Sequence, residues 1–291
     1  MKPAHVVRWL LLALLLAGPA AGAGTDRGLV WRIGEGATAS YLVGSIHLGR
    51  PDMYPLPESI RQAWERTDTL VVEADPRQLS SAAIGELAMS RGLYGDGGSL
   101  RDSLGQNRWQ EVAGAAEALG LPAPLLLPQR PWLAFSALTM AAAEREGLRQ
   151  GLGLEMKLVD RAGDRPLIEL EGLRSQLEML SGLAPAVQQA LLVQLARQVR
   201  SGEPLVAPLI SAWRQGDTAA LAAYLDEEFP PELAGAREAL LRRRNETMAA
   251  RLDTLLADGR RHFILLGAAH MVGPDGLVER LRRRGHELEQ L

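Results

Sequence analysis

The chain has 291 residues, 47% of them hydrophobic, which is enough for a sizeable core within one domain. It contains no cysteine, so disulfides, thiol catalysis and a lipid-modified cysteine are all excluded. The formal net charge is −3, and the basic run Arg242-Arg243-Arg244 sits among Glu238, Glu246 and Asp253 without interleaved aromatic residues, which argues against a nucleic-acid partner.

In chain order, Lys2, His5 and Arg8 precede the apolar stretch 9–17, and Ala21-Gly22-Ala23 follows as a small-residue cleavage site. This predicts a signal peptide over residues 1–23 and a periplasmic mature protein. The apolar stretch is too short to cross a hydrocarbon core of about 30 Å, so no permanent membrane anchor is expected. The mature chain, 24–291, reads as a single domain.

Leu29-Val30-Trp31-Arg32-Ile33 and Ala39-Ser40-Tyr41-Leu42-Val43 flank Gly34-Glu35-Gly36 and predict a hairpin. The second of these runs ends in Gly44-Ser45-Ile46-His47 and opens into the turn Leu48-Gly49-Arg50-Pro51-Asp52. An amphipathic segment, 56–64, and a second strand, Thr69-Leu70-Val71-Val72, come next. The pattern recurs near the other end: Phe263-Ile264-Leu265-Leu266 leads into Gly267-Ala268-Ala269-His270, a Gly/Pro turn at 271–275, an amphipathic segment at 277–281, and a strand at 286–288. Two strand–Gly-x-x-His–helix–strand units therefore bracket the chain, each aiming a histidine at the carboxyl end of a strand, where open α/β sheets hold ligands.

Between them, 77–119 is helical in period with a break at Gly95-Asp96-Gly97-Gly98 and a new cap at Ser99. Pro131 suits the first turn of another helix. Gly153-Leu154-Glu155 starts a further helix, and Pro166-Leu167-Ile168-Glu169-Leu170-Glu171 is a middle strand. From 173 to 255 nearly everything reads as helix, punctuated by Pro185, Gly202, Pro208, Gly216 and Pro230-Pro231. The expected class is α/β (α+β), one mixed sheet carrying helical insertions at roughly 76–165 and 173–258.

His47 and Glu73 are separated by one strand–helix–strand unit, so both are expected at the carboxyl ends of neighbouring parallel strands, with His270 arriving from the other half and Glu171 closing the middle strand. Two imidazoles and one or two carboxylates on one rim suit a borderline divalent cation such as Zn²⁺, Mn²⁺ or Co²⁺. His262 cannot join them, because eight strand residues separate it from His270 by about 26 Å. It and His286 read as ordinary structural residues. On a predicted helix over 232–256, Arg244 falls within the stripe of Leu233, Leu240, Met248, Leu252 and Leu255, with Asn245 at its edge. A guanidinium there either meets an anionic partner or, like Arg237, packs its stem and sends its head to solvent.

These blocks, together with Tyr54-Pro55-Leu56-Pro57, Val71-Val72-Glu73-Ala74-Asp75, Arg130-Pro131-Trp132, Leu170-Glu171 with Gln176, and Trp213-Arg214-Gln215-Gly216-Asp217, resemble the TraB/PrgY/GumN family, which includes the Tiki proteases. The resemblance runs in order through nearly the whole mature chain. It implies a fold shared with erythromycin-esterase and ChaN-like proteins. It also implies a site of His47, His270 and Glu73 as metal ligands, with Glu73 as ligand or general base and Arg244 and Asn245 in support. Gly153-Leu154-Glu155 carries a glutamate where the family pattern has aspartate, which makes Glu155, with Glu171, an additional candidate. The expected activity is a periplasmic metal-dependent hydrolase acting on a peptide or protein substrate. Two alternatives stay open: a non-catalytic peptide-, metal- or haem-sequestering protein, and a metal-independent esterase-like hydrolase.

Overall fold

The structure, a computed structural model, describes residues 26–291 other than 76, 79, 80 and 96, so the signal peptide expected over 1–23 lies outside the described residues. Six strands form one sheet among those residues: β1 (Val30–Ile33), β2 (Ser40–Ser45), β3 (Thr69–Val72), β4 (Leu167–Glu169), β5 (His262–Gly267) and β6 (Leu288–Gln290). Their order is β4-β3-β5-β2-β1-β6. The β1–β2 hairpin and the β1–β6 pair are antiparallel, whereas β2–β5, β5–β3 and β3–β4 are parallel. This is the mixed α/β sheet expected, with one correction. β2 and β3 are not neighbours, because β5 is inserted between them and pairs with both. The last strand also begins two residues later than its sequence suggests.

β2, β3 and β5 are buried along their whole length. A strand covered on both faces must be apolar on both, which explains runs such as Phe263-Ile264-Leu265-Leu266 that do not alternate. Trp64 meets Phe263 edge-on at a centroid distance of 5.3 Å. Complete burial of a ring like Phe263 contributes about 1.5–3 kcal/mol.

The helices are α1 (Glu58–Glu65), α2 (Ser81–Gly92), α3 (Leu100–Leu104), α4 (Gln106–Ala118), α5 (Pro131–Arg145), α6 (Leu154–Arg161), α7 (Leu173–Ser181), α8 (Pro185–Ser201), α9 (Ala207–Gln215), α10 (Thr218–Glu228), α11 (Ala234–Arg237), α12 (Arg243–Leu256) and α13 (Leu277–Arg283). Punctuation read from the sequence sets many of their ends. Ser99 caps α3 by accepting the Asp102 N–H, Pro131 and Pro185 open α5 and α8, and Gly202 and Gly216 close α8 and α9 in the left-handed conformation. Among the described residues no single helix is long and apolar enough to cross a membrane.

The helix expected over 232–256 is interrupted. α11 passes into a π-turn, Glu238–Arg242, before α12 begins, so the pitch changes immediately before Arg244. Such single-turn π segments commonly sit at functional sites. Leu233, Leu240, Met248 and Leu252 are buried as the stripe predicts, and Arg237 reaches Asp226 at 2.7 Å.

Candidate functional site

Parallel pairing places Ser45 opposite Gly267, and Val72 opposite Leu265, so the carboxyl ends of β2, β5 and β3 lie side by side. Glu73 follows β3 directly and Glu171 lies just beyond β4, with Glu171 N–H donating to the Glu73 carbonyl at 2.8 Å. His270 completes a 3₁₀ turn, Ala268–His270, at the end of β5.

The His47 loop is fixed by close backbone approach. A Cβ on Gly49 would stand 1.7 Å from the Leu152 carbonyl oxygen, and one on Gly153 would stand 2.0 Å from that of His47. Any side chain at either position forces the loop away from the start of α6. Leu154 N–H donates to the Ile46 carbonyl at 3.1 Å, and the buried Trp213 indole N–H donates to the Gly44 carbonyl at 2.7 Å. The result is that Glu155, one residue into α6, faces His47.

Gly267 marks where the cluster converges. A Cβ built there would lie 3.2 Å from Glu73 Oε1, 3.3 Å from His47 Nε2 and 3.6 Å from His270 Cδ2. His270 is buried, and Glu73 Oε1 stands 3.8 Å from its Nε2, beyond hydrogen-bond distance. Asn245 fixes its tautomer. The Asn245 amide nitrogen donates to the Asp275 carbonyl at 2.8 Å, so Oδ1 is the atom 2.5 Å from His270 Nδ1. Nδ1 must therefore carry the proton, and the Nε2 of the neutral ring presents a lone pair toward Glu73. His47 is held in the same sense, with Nδ1 2.8 Å from Glu155 Oε1 and Nε2 turned to the common point. Ser45 Oγ also donates to Glu155 Oε1, whereas Glu155 Oε2 is buried without a hydrogen-bond partner.

Glu73 is buried and tied on both oxygens. Oε1 accepts the Gly267 N–H at 2.6 Å, and Oε2 accepts Arg244 Nη2 at 2.7 Å and Gln176 Nε2 at 3.0 Å. Arg244 also donates to both oxygens of Glu171, at 2.7 to 3.1 Å, and to the Leu240 carbonyl at 3.1 Å. Its partner is thus anionic and its head does not reach for solvent. Burial opposes ionisation of Glu73, but His270, Arg244, His47 and the Gly267 N–H overcome it and hold the carboxyl down at about 2.

The two histidines diverge. Burial, reinforced by Arg244, lowers His270 to about 4 and keeps it neutral at pH 7. Glu155 raises His47 to about 9 against the effect of burial, although the ring, with 59% of its side chain exposed, is partly screened by solvent.

The site residues expected from sequence therefore fall into two tiers. His47, His270 and Glu73 share one point, while Asn245, Glu155 and Arg244 each hold one of them from behind. Glu171 stands farther back, with its oxygens committed to Arg244 and Gln176. Among the described residues, no three His, Asp or Glu side chains already enclose a cation-sized space. The donor types nevertheless suit one: His270 Nε2 presents a lone pair 3.8 Å from Glu73 Oε1, and His47 Nε2, turned to the same point, would join them on losing its proton. Gln176, Gly49 and Gly153 are positioning residues to which the sequence reading assigned no role. His262 is distant, its Nε2 within hydrogen-bond distance of the Leu255 carbonyl and Asp258 while its buried Nδ1 has no hydrogen-bond partner, and His286 pairs with Asp253.

Above the cluster opens a cavity of about 270 Å³ whose floor includes His47, Gly267, Ala268 and His270.

A family model described as the TraB/PrgY/gumN family matches residues 29–290. Curated relatives are an uncharacterized protein YbaP of Shigella flexneri, 27% identical over 84% of this chain and 88% of its own length, and an uncharacterized protein YbaP of Escherichia coli (strain K12), 27% identical over 83% and 87%. An uncharacterized protein of Treponema pallidum (strain Nichols) is 22% identical over 88% of this chain and 80% of its own length. No solved structure matches.

Proposed function

The chain belongs to the TraB/PrgY/gumN family, and from that premise we propose that it is a periplasmic hydrolase acting on a peptide or protein, with a divalent transition cation (Mn²⁺, Co²⁺ or Zn²⁺) held by His47, His270 and Glu73. The observation that carries this reading is the convergence of Glu73 Oε1, His47 Nε2 and the edge of the His270 ring on Gly267, each residue anchored from behind. When bound, such an ion polarises a carbonyl and brings the pKa of a bound water to about 7.

The chain's own residues supply orientation and charge. Asn245 keeps the His270 proton on Nδ1, and Glu155 does the same for His47. Arg244 and Gln176 immobilise Glu73 while leaving Oε1 toward the cluster. Since Glu73 lies below the cavity floor and not among its lining residues, ligation suits it better than proton transfer to substrate. Arg244, with its donors given to Glu73, Glu171 and Leu240, acts by orienting Glu73 rather than by meeting an oxyanion.

Elemental analysis and peptide turnover, measured on wild type and Gly267→Ala, test the proposal. Gly267 has φ −53°, which alanine adopts freely, so the variant should fold while its methyl intrudes on the meeting point. A stoichiometric transition metal and metal-dependent cleavage in wild type, both lost in Gly267→Ala, are expected. Peptide binding without cleavage would instead select a sequestering protein.

One observation favours a second reading. The Nδ1 of His47 faces a carboxylate and its Nε2 faces the cavity, the arrangement of an oriented general base. Cleavage that survives complete chelation would select this metal-independent hydrolase.

A further inference from the structure

The cavity above the cluster is chemically uneven. Its floor holds the two histidines, Ser45 and Gln150 also line it, and its apolar wall is formed by Ile46, Leu48, Met140, Phe229, Leu240 and Leu241. These come from three separate places: the loop after β2, the middle of α5, and the α10 end together with the π-turn. No carboxylate lines this cavity among the described residues, and Arg244, the guanidinium that does, has its charge matched by Glu73 and Glu171. A cationic side chain entering here would lose its hydration and meet no carboxylate on the lining, and an anionic one would meet only His47, whose charge Glu155 already pairs. An apolar one would gain from burial.

The π-turn shapes that wall. It carries Leu240 and Leu241, and through the Leu240 carbonyl it also receives Arg244 Nη1. The same turn therefore borders the reactive floor and sets the width of the pocket beside it.

We propose that this cavity is a specificity subsite for one medium-to-large apolar side chain, of leucine, methionine or phenylalanine class, adjoining the carbonyl that the cluster acts on. The inference rests on the hydrolase reading for the reaction at that carbonyl, but the fit of the side chain does not depend on it.

The test therefore uses binding as well as turnover. Capped tripeptides differing only in the central residue (Ala, Leu, Phe, Asp or Lys) are titrated calorimetrically into the full mature protein, with and without Zn²⁺, and the same peptides are assayed for cleavage. Leucyl and phenylalanyl peptides should bind on the order of tenfold or more tighter than the alanyl peptide, and the charged ones more weakly still. Leu241→Trp, which fills the pocket, should remove that preference. Leu241→Ala, which widens it, should shift the optimum toward phenylalanine. Circular dichroism confirms that both variants fold, and Met140→Trp replaces Leu241→Trp if that variant does not. Equal affinities across the series, or a preference unchanged in both Leu241 variants, would overturn the subsite. Side-chain preference in binding without any cleavage would leave the subsite standing and remove the hydrolase reading instead.

Discussion

The two Gly-x-x-His segments share a motif and a place on the sheet, yet their histidines are set to different charge states, one neutral and one protonated. His270 is buried, faces a neutral amide and lies near Arg244, so it stays unprotonated. His47 is more than half exposed, faces the carboxylate of Glu155, and holds its proton to about pH 9. Neither setting comes from the motif itself. Asn245 is supplied by α12 and Glu155 by α6, far away in sequence. A repeated motif thus specifies where two imidazoles point, while the elements packed behind them decide what each can do: His270 offers a ready lone pair, and His47 must release a proton before it offers one.

The largest expected effect lies where the two halves are joined. Arg244 is the shared counter-charge of Glu73 and Glu171 in a buried triad, with side chains only 16%, 5% and 12% exposed. Arg244→Met leaves both carboxylates unpaired and should cost about 3–5 kcal/mol in chemical denaturation. Adding Glu73→Gln to that variant should recover part of the loss. A melting curve for Arg244→Met matching wild type would show that Arg244 is not the counter-charge and that the comparison rests on the wrong centre.

Next is pH, where the two histidines should act in opposite directions. The folded-state pKa of His270, about 4, lies below the ordinary 6.5, so the unfolded chain binds the extra proton more readily. Its contribution is complete above pH 6.5 and falls away toward pH 4, by on the order of 3 kcal/mol. Glu73, held at about 2, extends the same acid limb, its stabilisation being present above 4.5 and lost as pH falls toward 2. His47 is raised, so its contribution is complete below 6.5 and is lost as pH rises through 9. Urea denaturation of His270→Gln and His47→Gln across this range should flatten the acid limb in the first and the weaker alkaline limb in the second. Identical profiles for the two variants would erase the distinction.

Much of this arrangement was legible in the chain. The β1–β2 hairpin, both Gly-x-x-His strands, Glu73 after β3 and the place of Arg244 in an apolar stripe followed from periodicity and spacing, which are local signals; whether the Arg244 head met an anion or solvent did not. Insertion of β5 between β2 and β3 did not, because strand order depends on pairing between residues some two hundred positions apart. The π-turn was equally hidden: Glu238–Arg242 has ordinary helix formers, and nothing local in it marks the change of pitch. Glu155 was legible as an additional candidate, through its departure from a family pattern, but not as the partner of His47. Its placement becomes visible once Gly49 and Gly153 are seen to bring its helix against the His47 loop.

Asn245→Leu should come third. The amide holds His270 in a buried setting, and such supporting partners are typically worth 10–100-fold in cation affinity. Competition with a chelator measures it. Glu155→Gln should fall at the low end of that range, about tenfold, because His47 is exposed and water replaces part of what is lost. An effect of Glu155→Gln larger than that of Asn245→Leu would reverse the ranking of the two arms.

The smallest effect is expected from Glu155→Asp. Aspartate keeps the charge and the acceptor atoms but shortens the reach by one methylene, so the 2.8 Å contact with His47 Nδ1 must lengthen unless the loop follows. The loop has little freedom to follow, since Gly49 and Gly153 already bring it against the Leu152 and His47 carbonyls. Two features limit the damage: Ser45 Oγ supplies a second anchor for the carboxylate, and the exposed His47 ring can gain a bridging water. Cation affinity should therefore fall less than in Glu155→Gln, and the His47 pKa, read by NMR titration in the metal-free protein, should move down from about 9 without reaching 6.5. A pKa in Glu155→Asp equal to that in Glu155→Gln would mean that direct contact, not the nearby negative charge, sets the state of His47.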